Sequence, residues 1–166
     1  MSETAATPKP AATILLLRQG NKSLEVFMVV RHHQIDFASG ALVFPGGKAD
    51  LQDFEASLIP HLQGAADDTN MRAAQVSAIR EAFEECGILL AREVGSDDII
   101  SAERLRRLQE QREPMNKGEV TLLEFLQNEQ LVLACDELTH FAHWITPPMM
   151  PKRFDTHFYL ATAPAD

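Results

Sequence analysis

The run Arg80-Glu81-Ala82-Phe83-Glu84-Glu85-Cys86-Gly87-Ile88 gathers three acids into the last turns of a predicted helix. A helix C-terminus carries partial negative charge, so each acid there is disfavoured by roughly 0.3–1 kcal/mol. The like-charged pair Glu81 and Glu85, at i,i+4, adds a few tenths more. A cation offsets both terms. Carboxylate oxygens are hard ligands suited to magnesium, which takes one or two protein carboxylates plus substrate phosphates. Arg80 can grip a carboxylate with two parallel bonds and so fix a ligand's orientation. Glu81, Glu84, Glu85 and Arg80 are therefore the candidate catalytic residues, and the three acids the candidate metal ligands.

A second segment, Phe44-Pro45-Gly46-Gly47, reads as a strand end and a turn. Two adjacent glycines let backbone approach a ligand or a helix closely, which makes Gly46 and Gly47 candidate substrate contacts. Arg31 ends a strand directed toward that turn and is a candidate phosphate contact. His32 and His33 point to opposite faces if extended and cannot readily share one metal. Cys86 and Trp144 read as core, and Arg104, Arg106 and Arg107 as a solvated helix face.

These residues need a scaffold, and 166 residues are enough for one domain with a real core. Hydrophobic residues make up 45% and charged residues 23%, an ordinary globular balance. The formal charge of -9 disfavours nucleic acid and anionic membrane as general partners. Two cysteines give no disulfide framework and fit a reducing compartment, the cytoplasm. Residues 1–10 read as a disordered tail, without a signal peptide's basic start and apolar run; no apolar stretch is long enough to span a membrane.

Residues 11–166 read as one domain. Ala12–Arg18 and Leu24–Arg31 form a predicted hairpin across Gln19-Gly20-Asn21-Lys22-Ser23. Ala41–Phe44 is a third strand. About 48–70 is an insertion with weak periodicity and one short helix near Phe54–Ile59. The strongest helix runs from about Asn70 to Cys86, capped by Asp68, Thr69 or Asn70 and stopped by Gly87. Its core stripe is Val76, Ile79, Phe83 and Cys86; Glu81 and Glu85 lie opposite, toward a cleft or solvent. Helices at about Ser101–Arg112 and Val120–Gln127 follow, then strands at Thr139–Ile145 and Thr156–Ala161. This order of strands, helices and strands predicts an α+β fold.

Together the two segments resemble the Nudix hydrolase family. Its signature is glycine, five residues, glutamate, seven residues, then Arg-Glu-apolar-any-Glu-Glu-any-Gly-apolar. Arg80, Glu81, Ala82, Glu84, Glu85, Gly87 and Ile88 fill the second half, and Gly47 fits the opening glycine. The stretch between Gly47 and Arg80 is longer than the pattern. Asp53 stands at the offset of the intermediate glutamate, with Asp50 and Glu55 nearby. Gly40–Gly47, with Arg31 upstream, and Trp144-Ile145-Thr146-Pro147 followed by Lys152–Thr156 resemble the coenzyme A diphosphatase branch, in its animal peroxisomal form and bacterial relatives. His32 and Asp36 stand where that branch has a serine and a second arginine.

The resemblance implies an α/β/α sandwich with a mixed sheet, lacking here the last C-terminal strand or strands and helix, which leaves three alternatives: a truncated chain, a reduced architecture, or a partner chain such as a second copy over the open edge. It implies Mg2+ (or Mn2+) held by Glu81 and Glu85 with Glu84 assisting. It also implies hydrolysis of a small-molecule nucleoside diphosphate derivative: coenzyme A or acyl-CoA, split to adenosine 3′,5′-bisphosphate and (acyl-)phosphopantetheine. An ADP-ribose or dinucleotide pyrophosphatase, and a nucleotide-binding Nudix module without catalysis, are the alternatives. The C-terminus, Pro164-Ala165-Asp166, carries no peroxisomal tripeptide.

Overall fold

In the computed structural model, which describes residues 6–30 and 40–164, strand β1 (Lys9–Gln19) is the centre of the main sheet. Its alternation sets its two faces: Ala12, Ile14 and Leu16 are buried, while Thr13, Leu15 and Leu17 are half-buried on the other side. The strand starts before the expected tail boundary, because Lys9 and Pro10 pair with a late strand at Phe154 and Asp155. The hairpin forms as expected, with β2 (Leu24–Val26) antiparallel to β1 through Leu17 and Val26, and Arg18 and Glu25. The second expected strand breaks, however, and resumes as β3 (Val29–Val30), paired with β4 (Leu42–Val43). Arg31, His32, His33 and Asp36 lie outside the described residues.

Gly46 and Gly47 form no turn. They open β5 (Gly46–Lys48), which pairs antiparallel with Ala11–Thr13 of β1. The segment after it folds as two 3-10 turns, Leu51–Phe54 and Ala56–His61, followed by β6 (Leu62–Gln63). Helix α1 (Thr69–Cys86) then starts at Asp68, whose side chain accepts from the Met71 N–H, and ends at Gly87 in the left-handed conformation. That conformation strains any residue with a Cβ.

The helix is buried on nearly all sides, from Ala73 to Arg80 and again at Ala82 and Phe83. Small residues, Ala73, Ala74, Ser77, Ala78 and Ala82, let layers approach it from several directions. One layer is the main sheet. On another side the chain continues through β7 (Ala91–Glu93), α2 (Ala102–Leu108), α3 (Arg112–Asn116) and α4 (Leu122–Asn128), where Phe125 stacks on Phe83 at 5.3 Å between ring centres. The helix expected over Ser101–Arg112 is divided by a 3-10 turn at Gln109–Gln111. Pro114 has no N–H to return to the carbonyl of Glu110, and its ring crowds that carbonyl, which favours a break in the preceding turn.

Strand β8 (Leu131–Ala134) pairs parallel with β6 and antiparallel with β7 in a small second sheet. The chain then returns as β9 (Thr139–Ile145) and β10 (Phe154–Thr162). Strand β10 runs parallel to β1, and β9 pairs antiparallel on its far side at the edge. The main sheet is therefore mixed. Trp144, expected in the core, is 70% exposed. It stands on the outer face of the edge strand against Phe158, and among the described residues nothing closes over it.

Candidate active site

The C-terminal half of α1 lies against β5, and Arg80 is the hub of that contact. Its side chain is only 2% exposed. Nε donates to Asp53 Oδ1 at 2.9 Å and Nη2 to Asp53 Oδ2 at 3.0 Å, a bidentate grip on a carboxylate that is itself buried. Nη2 also donates to the Lys48 carbonyl, and Nη1 to Glu84 Oε2 at 2.7 Å. Glu81 Oε1 lies 3.0 Å from the same Nη1. Of the three acids considered for the intermediate position, Asp53 takes the grip. Asp50 stands 3.7 Å from the guanidinium, and Glu55 bonds Ser57 instead.

The glycine pair meets the acids from the other side. The Gly46 N–H donates to Glu85 Oε2 at 3.1 Å. A Cβ on Gly47 would fall 2.6 Å from the Glu81 carboxylate, so the absence of a side chain makes that approach possible. Glu81 and Glu85 thus meet β5, while Glu84 meets Arg80 on the same helix end. Glu81 and Glu84 are largely buried and Glu85 is exposed, within the expected choice of cleft or solvent for Glu81 and Glu85.

Burial pushes the Glu81 carboxyl up to about 7; Arg80 pulls the other way, and the charges of Glu84 and Glu85 add to the rise. Burial likewise raises Glu84 against the pull of Arg80. Arg80 divides its single positive charge among Asp53, Glu84 and Glu81. Among the described residues three carboxylates share the one guanidinium, and carboxylate oxygens are hard ligands. A divalent cation of the magnesium or manganese type fits that set.

A family model described as the NUDT19 Nudix domain matches residues 65–165, including all of α1. The chain belongs to the Nudix hydrolase family. The acyl-coenzyme A diphosphatase NUDT19 of Xenopus laevis is 24% identical, over 86% of this chain and 48% of that protein. The chain therefore spans about half the length of this curated relative. The crystal structure of a NUDIX hydrolase from Alicyclobacillus acidocaldarius is similar with a TM-score of 0.71 and 30% identity, over 95% of this chain and 71% of that one. The expected α+β fold class agrees with that likeness.

Some features of this Nudix chain were not read from its sequence. Arg112 Nη2 and Asn116 Nδ2 both donate to the Glu84 carbonyl, at 3.0 and 3.3 Å, and Gln109 Nε2 donates to the Gly87 carbonyl at 2.9 Å. These groups satisfy the open end of α1, and Arg112 brings positive charge to it. A signal existed in the side-chain types clustered at 109–116, but not in any spacing that names Glu84. Arg153 donates to the backbone carbonyls of Thr146 and Ala6. Burial raises the thiols of Cys86 and Cys135 to about 11 and about 12, which suits packing rather than reactivity. Beside the end of α1 opens a cleft of about 1120 Å³, walled by Phe27, Met28, Ile88 and Leu105, with Arg18 and Arg106 on its lining.

Proposed function

We propose that this chain is a magnesium-dependent Nudix diphosphatase acting on coenzyme A or an acyl-CoA, releasing adenosine 3′,5′-bisphosphate and (acyl-)phosphopantetheine. The observation that carries the reading is the approach of Glu81 and Glu85 to Gly46 and Gly47, with Glu84 and Glu81 both on Arg80 and Arg80 held by the buried Asp53. Glu81 and Glu85 hold the ion and Glu84 assists. Bound there, magnesium (or manganese) supplies charge neutralisation at the phosphate oxygens and a more acidic water. Arg80 acts by positioning: it fixes Glu84 and Glu81 from beneath while Asp53 holds the guanidinium in place. Gly46 and Gly47 bring the substrate's diphosphate close to backbone, and Arg31 contacts a phosphate.

The substrate assignment is supported by the resemblance to the Xenopus diphosphatase and by the cleft. Its apolar wall suits a pantetheine or acyl arm, and Arg106 suits an anionic group. The free thiols are consistent with a cytoplasmic location. Homodimer formation belongs to the same proposal; its support is the exposed Trp144 on the edge strand, and light scattering tests it.

The deciding experiment is a hydrolysis panel with magnesium: coenzyme A, acyl-CoA, ADP-ribose, NADH and diadenosine polyphosphates. Preferred cleavage of coenzyme A or acyl-CoA is the expected result. Preference for ADP-ribose or a dinucleotide would move the substrate within the same chemistry. Nucleotide affinity with no turnover of any member would make the chain a binding module.

A further inference from the structure

A separate group of metal-ligating side chains lies on the inner face of β9 and β10, where no part of the Nudix signature falls. His143 stands directly across from His157 in the antiparallel register, and Asp155 precedes His157 by two residues on the same strand and face. Side chains at i and i+2 of one strand, and directly opposed across a pair, share a face and meet. One ligand atom from each of His143, Asp155 and His157 lies within 4.8 Å of the others. The two imidazoles are nearly parallel, with 4.1 Å between ring centres and 7° between planes. His143 Nε2 hydrogen-bonds Asp155 Oδ1, and His140 Nε2 lies 3.0 Å from His157 Nδ1.

We propose that His143, Asp155 and His157 form a second metal site, selective for zinc-class divalent transition metals over magnesium. The donor set decides the class. Two imidazole nitrogens and one carboxylate oxygen form a three-ligand set that zinc uses with a water in the fourth position. Magnesium prefers oxygen donors and keeps its waters, so nitrogen ligands discriminate against it. The three ligand atoms already share one face within 4.8 Å of one another. His140 is placed to orient His157 through a ring nitrogen, as outer partners of metal-bound histidines do. The site faces a cavity of about 380 Å³ that Asp68 and Met71 of the α1 start also line. Asp68 adds negative charge there, which favours a cation.

The location separates this site from the carboxylate cluster. It sits at the N-terminal end of α1, and Glu81–Glu85 at the other, roughly 15–20 Å away at 1.5 Å per residue. An ion there would clasp the edge strand β9 to β10 beside the bulge at Phe158 and Tyr159.

The test is a zinc titration of tag-free protein in excess magnesium, followed by calorimetry, with cobalt substitution to read nitrogen ligation in the visible spectrum. The expected result is one zinc per chain and a rise in Tm, both retained in Glu85→Gln. In His143→Ala and Asp155→Asn the affinity should fall at least ~10–100-fold. His143 and Asp155 are substantially exposed, so these variants should fold, which circular dichroism checks; His157→Ala is the third member. No zinc uptake, uptake that survives the His143 and Asp155 substitutions, or uptake abolished by Glu85→Gln would each overturn the proposal. None of these readouts depends on the hydrolase reading.

Discussion

Replacing Gly47 with alanine separates the geometry of the acid cluster from the stability of the fold. The added Cβ would sit 2.6 Å from the Glu81 carboxylate, whereas ordinary contact begins at 3.4 Å, so the carboxylate must retreat by roughly 0.8 Å. It is the far end of a flexible side chain and can yield. Alanine in place of glycine also lowers the entropy of the unfolded chain, worth about 0.4–1 kcal/mol where the backbone tolerates it. Strain and gain nearly cancel, and the Tm should stay within ~2–4 °C of wild type for a domain of this size. Function should not. A displacement near 1 Å at a reacting centre costs about 100-fold in turnover.

Gly46→Ala is the paired control. There the Cβ would lie 2.4 Å from the Ala12 carbonyl oxygen and 2.7 Å from the Thr13 Cα, both backbone of the central strand. Backbone in a sheet cannot step aside, so about 1–3 kcal/mol of stability should go. The assay pairs thermal melts with manganese affinity, by calorimetry or electron paramagnetic resonance, and with turnover of the best panel substrate. Expected for Gly47→Ala is a near-normal Tm with weakened metal affinity and slow turnover. Unchanged metal affinity and turnover at a normal Tm would refute the claim that Glu81 needs its present position.

Three further substitutions address the hub and one proposed ligand. Arg80→Met strands Asp53, which is only 3% exposed, without its bidentate partner; breaking a buried pair this way costs about 3–5 kcal/mol. Thermal melts should show the Tm falling by at least ~6 °C, and Arg80→Lys should rescue little, since a point charge cannot reproduce the fork. Glu85→Gln should lower turnover by about 10²–10³-fold with an unchanged circular dichroism spectrum; loss of the fold instead would assign that acid a structural role.

Local chemistry made α1 legible. The Asp68 cap and the Gly87 stop act within a few residues of themselves, and the structure uses both. The hairpin around Gly20 and strand β9 are similarly local. What sequence missed depends on distant partners. Gly46 and Gly47 look like a turn until β1 pairs with them. The 3-10 turns after Lys48 carry no clear period, yet they deliver Asp53 to Arg80 across 27 residues of chain. A stripe of four apolar residues described one face of α1, but a helix rich in alanine and wrapped by several layers has no solvent face in its middle. Trp144 erred in the other direction: its size implied burial, and its place on the outer face of an edge strand denied it.

The acids themselves raise an electrostatic objection. Three carboxylates at a helix C-terminus are unfavourable by roughly 0.3–1 kcal/mol each in isolation, and burial of Glu81 and Glu84 makes the charged state costlier. The fold counters part of this. Arg80 lies beneath two of the acids, Gly46 donates to the third, and Arg112 with Asn116 occupies the carbonyl of Glu84. These contacts fix the position of the carboxylates without neutralising them, because Arg80 is already shared with Asp53. A cluster designed by packing alone would have been served better by apolar side chains, which often replace buried ion pairs at no loss. Held in place and left short of positive charge, the three acids keep a geometry whose missing term is a cation. That imbalance, more than the motif, is the physical argument for a metal at this end of α1.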